Sequence, residues 1–205
     1  MTKVASRYKV AADSKLHTSF TELKRCTGVD STLSVVRERL NEKRGFDGPV
    51  VQFGRDRHEM WHEQSLQTGR IPKEFAHLFD APVDYAEHAF ATEVFKDVVL
   101  HFRPDAVSLE AKAVIDYKKI VGDAKQFNPS KQLLIYAYGL WLHGIDIRER
   151  VYLCEQWDKD STKILGYQIW RLPVKLIDLG QVPMWLKERV ALLKTVNDSY
   201  GESND

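Results

Sequence analysis

The sequence predicts an α/β (α+β) fold in which a mixed central sheet of about five strands is flanked by helices. Three observations predict it. Helix signals fill the first part of the chain, short β-rich runs begin near Thr92, and one strongly apolar helix separates those runs from two further strands and a last helix. No repeat dominates, and 205 residues suffice for one substantial core. The chain therefore reads as a single domain, with an arm over 1–17, a helical part over 18–90, a sheet core over 91–197 and a frayed tail over 198–205.

Ser19-Phe20-Thr21-Glu22 has the form of a capping box, in which the serine satisfies a free amide and the glutamate reaches back, so a short helix should run towards Cys26 and stop at Gly28. A second helix is expected from Ser31 to Arg44, ahead of Gly45 and the Gly48-Pro49 break. A third begins near Val50; Phe53, Arg57, Met60 and Trp61 share one side of it, and His58 and His62 stand one turn apart. EVFKDVVLHF, DAVSL and AVIDYKKI read as three antiparallel, meandering strands. Pro129 to His143 is apolar on nearly every face from Leu133 onward, which describes a helix buried against a sheet, and Gly144 ends it. RVYLCEQW and KILGYQIWRL follow as strands joined by the turn DKDS, and a last helix is expected over Pro183–Asn197.

Composition narrows the classes. Hydrophobic residues make up 43% and charged residues 29%, which excludes wholesale disorder. A formal net charge of +1 does not advertise a nucleic-acid binder, so any such contact must come from a local basic surface. Cys26 and Cys154 are too few for a disulfide framework or an all-cysteine metal cluster, read as free thiols and fit a reducing compartment. No apolar h-region opens the chain and no stretch approaches the roughly 20 apolar residues of a membrane span, so a soluble, cytoplasmic protein is expected.

The residues that carry chemistry lie on the β-rich runs. Asp105 follows one strand and Asp116-Tyr117-Lys118 ends another. Side chains alternate along a strand, so Asp116 and Lys118 share a face, and an adjoining strand can bring Asp105 beside them. Two carboxylates and an amine converging suit phosphodiester hydrolysis: the carboxylates hold Mg²⁺ or Mn²⁺, and the lysine orients or deprotonates a water and offsets negative charge. Lys118, Lys119, Lys125 and Lys131 surround a loop in which Asp123 is the only acid, so Lys119, Lys125 and Lys131 are candidates for phosphate contact, against the plain alternative of a solvated loop. Phe127, Tyr138, Trp141, Trp157 and Trp170 read as packing.

Four features, in order, resemble the RecB-like branch of the PD-(D/E)XK nucleases, which includes CRISPR-associated RecB-like exonucleases. SFTELKRC resembles its opening helix, Gly54-x3-His58 its G-x-x-x-H helix, Pro104-Asp105 and Asp116-Tyr117-Lys118 its PD and (D/E)xK elements, and Gln132-x3-Tyr136 the Q-x-x-x-Y helix that follows. The resemblance implies a restriction-endonuclease-like core and a DNA nuclease, exonuclease ahead of endonuclease, in recombination, repair or phage DNA processing. It also implies Mg²⁺ or Mn²⁺ held by His58, Asp105 and Asp116, catalysis by Asp105, Asp116 and Lys118, and a substrate-positioning role for Gln132 and Tyr136. Glu93 resembles an acidic residue on the branch's first strand. A homo-oligomer or a recombination or helicase partner fits the same resemblance. Many members with a cysteine like Cys26 carry three more that hold an iron-sulfur cluster; here only Cys154 follows, so no cluster is expected. HFRPD also lacks the glycine that often precedes the PD element.

Two rivals compete. His58-Glu59-Met60-Trp61-His62 is an H-E-x-x-H sequence on a helix, the signature of a zinc protease, with Glu87 or His88 as conceivable third ligands. The metzincin Gly and His are absent from HEQSLQTG, and that reading leaves Asp105, Asp116, Lys118, Gln132 and Tyr136 without work. A nuclease fold kept only for DNA binding is the other rival, disfavoured because every key polar residue is in place.

Overall fold

The computed structural model describes residues 15–41, 49–123 and 127–202. Along the chain run β1 (Leu16–Ser19), α1 (Phe20–Arg25), α2 (Val29–Asn41), α3 (Pro49–Thr68), β2 (Tyr85–Ala86), β3 (Phe90–Phe95), β4 (Val98–Phe102), β5 (Ala106–Ser108), β6 (Ala113–Val121), α4 (Gln132–Leu142), β7 (Glu149–Trp157), β8 (Ile164–Pro173) and α5 (Leu176–Glu202). They fall into two compact units. The first comprises Met1–Phe46, Phe90–Phe102 and Gly180–Asp205, the second Asp47–Ala89 and Arg103–Leu179. No helix among the described residues is long and apolar enough to cross a membrane.

In the first unit, the capping box starts α1: the Ser19 backbone N–H donates to Glu22 Oε2 at 3.0 Å. α2 begins two residues earlier than expected, because the Gly28 carbonyl accepts from both the Thr32 N–H and the Thr32 hydroxyl, at 3.0 and 2.7 Å; the end expected near Arg44 lies outside the described residues. Three expectations need correction here. Residues 16–19, read partly as a loose arm, form β1, which pairs in parallel with β4; four residues stabilised by a remote partner leave no local period to detect. EVFKDVVLHF is two strands rather than one, since Asp97 takes a positive φ of 66° and turns β3 back onto β4. These belong to a separate three-stranded sheet of order β1-β4-β3. α5 begins at Leu176, carries Pro183 inside it and continues to Glu202, so the expected frayed tail is helical as far as that residue. Thr195 and Ser199 bond their hydroxyls to carbonyls one turn back, at 3.0 and 2.9 Å, so their polar groups are satisfied within the helix.

The second unit holds the mixed five-stranded sheet, of order β2-β5-β6-β7-β8. β5 and β6 are antiparallel, β6 and β7 are parallel with α4 as their crossover, and β7 and β8 are antiparallel. The DKDS turn between β7 and β8 is held by Asp158, whose Oδ1 accepts from the Thr162 N–H at 2.7 Å. α4 is buried at Leu133 and from Ile135 to Leu140, whereas Trp141 and Leu142 at its end are exposed, and Gly144 closes it with φ 77°. One face of the sheet forms an apolar core in which Ile115, Tyr117, Val151 and Leu153 meet Trp61 of α3 and Phe75. Trp61, Phe75 and Tyr117 contact one another with ring centroids 5.3 to 5.7 Å apart.

Candidate active site

The site grows from an interruption in the sheet. β5 pairs with β6 only as far as Ala106 opposite Ile115, so one step further Asp105 stands across from Asp116, and β6 continues alone on that side. The Asp105 carboxylate takes the place of the missing ladder partner: its Oδ2 accepts the Tyr117 backbone N–H at 2.7 Å. On the outer side, β2 pairs Ala86 with Ala106, and the next residue, Glu87, donates its N–H to the Asp105 carbonyl at 2.9 Å. Glu87 holds φ 49°, a left-handed conformation that costs a non-glycine residue roughly 1 kcal/mol or more. α3 supplies His58, whose Nδ1 lies 3.6 Å from Asp105 Oδ2.

His58, Glu87 and Asp105 each offer a ligand atom, and the three atoms lie within 4.8 Å of one another. The imidazole and carboxylate donors suit Mn²⁺, and the oxygens suit Mg²⁺. Asp116 is not among these three. Its carboxylate faces Lys118 on the same side of β6, with the ammonium 3.0 Å from Oδ1 and 2.8 Å from Oδ2. The latter contact lacks hydrogen-bond alignment, and Oδ2 is buried without a hydrogen-bond partner. Oδ2 is thus held by an ion pair alone and keeps acceptor capacity that a metal ion could use. The residues present therefore fit a divalent cation.

The electrostatics agree. Burial and then the Asp116 charge push Asp105 well above the usual carboxylate range, and burial also raises Asp116 against the pull of Lys118. Burial pulls the Lys118 ammonium down, but Asp116 and Asp105 outweigh it and its pKa rises. Burial and the nearby Lys118 charge lower His58 to about 4, leaving a neutral imidazole available as a ligand near pH 7.

Gln132 and Tyr136 share one face of α4, with Gln132 Nε2 donating to Tyr136 Oη at 2.8 Å. Burial pushes the Tyr136 phenol up to about 12, and Asp105, Asp116 and Glu87 push the same way, which places it within their electrostatic reach. The candidate phosphate contacts are not gathered in this manner. Lys119 alternates to the opposite face of β6 from Lys118, its ammonium 4.7 Å from the centre of the Trp157 ring; Lys131 is exposed at the start of α4; Lys125 lies outside the described residues. Glu93 belongs to β3 in the first unit, where its carboxylate meets Lys15 Nζ at 2.5 Å. His62, the second histidine of H-E-x-x-H, is not in the group formed by His58.

Glu87 enters the sequence reading only as a conceivable zinc ligand beside H-E-x-x-H, and the structure places it with His58 and Asp105 instead. Its position depends on a two-residue strand, β2, too short to carry a period. Arg103 also escaped notice; its Nε lies 2.7 Å from Glu87 Oε2.

No protein-family model matches the sequence, and no curated protein matches it. Solved structures do. The alkaline exonuclease LHK-Exo from Laribacter hongkongensis is similar at a TM-score of 0.55 and 10% identity, over 91% of this chain and 92% of that one; the same values hold for its complex with dAMP. A phage-related exonuclease from Haemophilus somnus is similar at a TM-score of 0.54 and 12% identity, over 93% of this chain and 97% of that one. With Pro104-Asp105 immediately before β5 and Asp116-Tyr117-Lys118 on β6, the chain shares the fold of these exonucleases.

Proposed function

We propose that this chain is a metal-dependent deoxyribonuclease of the RecB-like kind that acts as an exonuclease. The observation that carries the reading is the meeting, where β5 leaves β6, of His58, Glu87 and Asp105 with the Asp116–Lys118 pair, on a fold shared with exonucleases. LHK-Exo was solved with dAMP, a deoxynucleotide, which supports DNA as the polymer. Recombination, repair or phage DNA processing, an intracellular setting, and assembly with further copies or a helicase belong to the same proposal.

His58, Glu87, Asp105 and Oδ2 of Asp116, which takes part in no hydrogen bond, would hold Mg²⁺ or Mn²⁺, which when bound stabilises charge on the phosphate and acidifies the attacking water. Lys118, held as an ammonium beside Asp116 and Asp105, would orient the attacking water and offset negative charge on the phosphate. Tyr136, steadied by Gln132, keeps its phenolic proton and can donate a hydrogen bond to a phosphate oxygen. The Tyr117 N–H holds Asp105 in one orientation, so the carboxylate need not reorganise when substrate arrives.

The test is digestion of end-labelled linear and circular DNA with Mg²⁺, Mn²⁺, Zn²⁺ or EDTA, alongside Lys118→Ala. Digestion of linear DNA alone, dependent on Mg²⁺ or Mn²⁺ and absent in the variant, supports the proposal. Cutting of the circle would make the enzyme an endonuclease, and digestion unaffected by EDTA or by the substitution would overturn the reading.

A further inference from the structure

Across the sheet from Lys118, on the face that carries the aromatic core, a charged cluster takes no part in the hydrolytic chemistry. The side chain of Glu155 on β7 is 0% exposed. Arg57 reaches it from α3: its Nε donates to Oε1 at 3.1 Å and its Nη2 donates to Oε2. Trp157 adds a third donor, Nε1 to Oε1 at 2.6 Å. The Arg57 guanidinium lies 5.2 Å from the centre of the Trp61 ring, which leaves it little freedom.

Stability alone does not account for such a cluster, because well-packed apolar replacements of buried ion pairs are often neutral or stabilising. Geometry does. A two-pronged guanidinium–carboxylate match permits essentially one arrangement, so it fixes both the height and the rotation of α3 over β7 at Arg57. The next residue is His58. Its ring meets the edge of Trp61 at 5.6 Å between centroids, and its Nδ1 stands 3.6 Å from Asp105. A rotation of α3 by about 10° would shift an atom about 6 Å from the helix axis by about 1 Å, enough to spoil a metal ligand.

We propose that Glu155 is a positioning residue for the metal site: by gripping Arg57 in a buried two-pronged pair, it sets the turn of α3 that presents His58 to Asp105 and Glu87. The inference rests on the reading of His58 as a metal ligand. Glu155 touches neither the cation nor the DNA and acts only through Arg57.

The experiment is Mn²⁺ titration of the whole chain, read as loss of the free-ion electron paramagnetic resonance signal, for wild type, Glu155→Gln, Arg57→Lys, His58→Ala and the Glu155→Gln/His58→Ala double variant. Glu155→Gln should weaken Mn²⁺ binding about tenfold, with the maximal rate of DNA cleavage restored at saturating Mn²⁺. The loss should vanish in the His58→Ala background, because the grip then has nothing to present. Arg57→Lys keeps the buried carboxylate paired but loses the second prong; it should show the same loss in part, and carries the test if Glu155→Gln does not fold. Ser65→Ala, which removes a different buried α3 contact, to Tyr117 Oη at 3.4 Å, while leaving the Glu155 grip intact, is the control and should leave Mn²⁺ binding unchanged. Wild-type affinity in both Glu155→Gln and Arg57→Lys, or an equal loss with and without His58, overturns the positioning role. Wild-type protein that binds no Mn²⁺ overturns the nuclease reading itself, and the positioning role with it.

Discussion

The two faces of β6 do opposite things with alternate residues of one strand. Ala113, Ile115 and Tyr117 point into an apolar core closed by Trp61 and Phe75, where burial is satisfied and stabilising. Asp116 and Lys118 point the other way and put buried charge where burial is a penalty. One face is scaffold and the other carries the buried charges of the proposed site. The contrast teaches that substitutions one residue apart should separate stability from activity, and the predictions below either sharpen that separation or break it.

The largest effect should come from Asp116→Asn. The amide fills the same space but cannot supply the charge, so DNA cleavage should fall by about 10³-fold or more. The melting temperature of the metal-free protein at neutral pH should hold or rise, because a penalised buried carboxylate has been removed. Parallel loss of fold and activity, seen by circular dichroism, would break the separation.

Phe75→Ala should give the reverse pattern. Removing a fully buried ring that contacts Trp61, Tyr117 and Tyr167 should cost about 3–5 kcal/mol in denaturant unfolding. Activity per folded molecule should remain close to wild type at low temperature.

A pH dependence follows from the raised carboxylates. A group whose folded pKa exceeds its unfolded value stabilises the fold in acid and loses that contribution as pH rises through the folded value. Asp105 and Asp116 both lie above the ordinary 3.8, so the metal-free protein is penalised by them near neutrality. Mn²⁺ should therefore raise the melting temperature more at about pH 8 than at about pH 5, where protons compete for the same oxygens. His58, held near 4, is neutral across that range and should not set the midpoint. A thermal shift from Mn²⁺ that does not change with pH would contradict this.

The smallest effect should come from Tyr136→Phe. Losing the hydroxyl that Gln132 steadies should slow cleavage about tenfold with little change in Mn²⁺ affinity, measured by the same titration.

How far the sequence reaches follows from the same physics. Alternation placed Asp116 and Lys118 on one face, and the i, i+4 spacing of Gln132 and Tyr136 put them on one helix face, because both depend on local geometry that a single segment expresses. Four strands of the mixed sheet, β5 to β8, were legible from their runs and breaks, whereas the run counted as a fifth forms β3 and β4 of the other sheet and β2 carries no signal of its own. Glu87 was not legible, because its place is decided by pairing between a two-residue strand and the end of β5. The division of EVFKDVVLHF rests on Lys96-Asp97 alone: the turn uses an αL aspartate instead of a glycine, a weaker mark than the glycines and prolines that end other runs. Lys119 was grouped with Lys118 by adjacency along the chain, yet alternation sends it to the other face, against Trp157.

The most direct measurement of the central claim is an anomalous difference map from crystals grown with Mn²⁺. The expected result is a peak within coordinating distance of His58, Glu87 and Asp105, on the Asp116 side of the sheet. A map with no peak there, or with its peak between His58 and His62, would contradict a nuclease site at the end of β5.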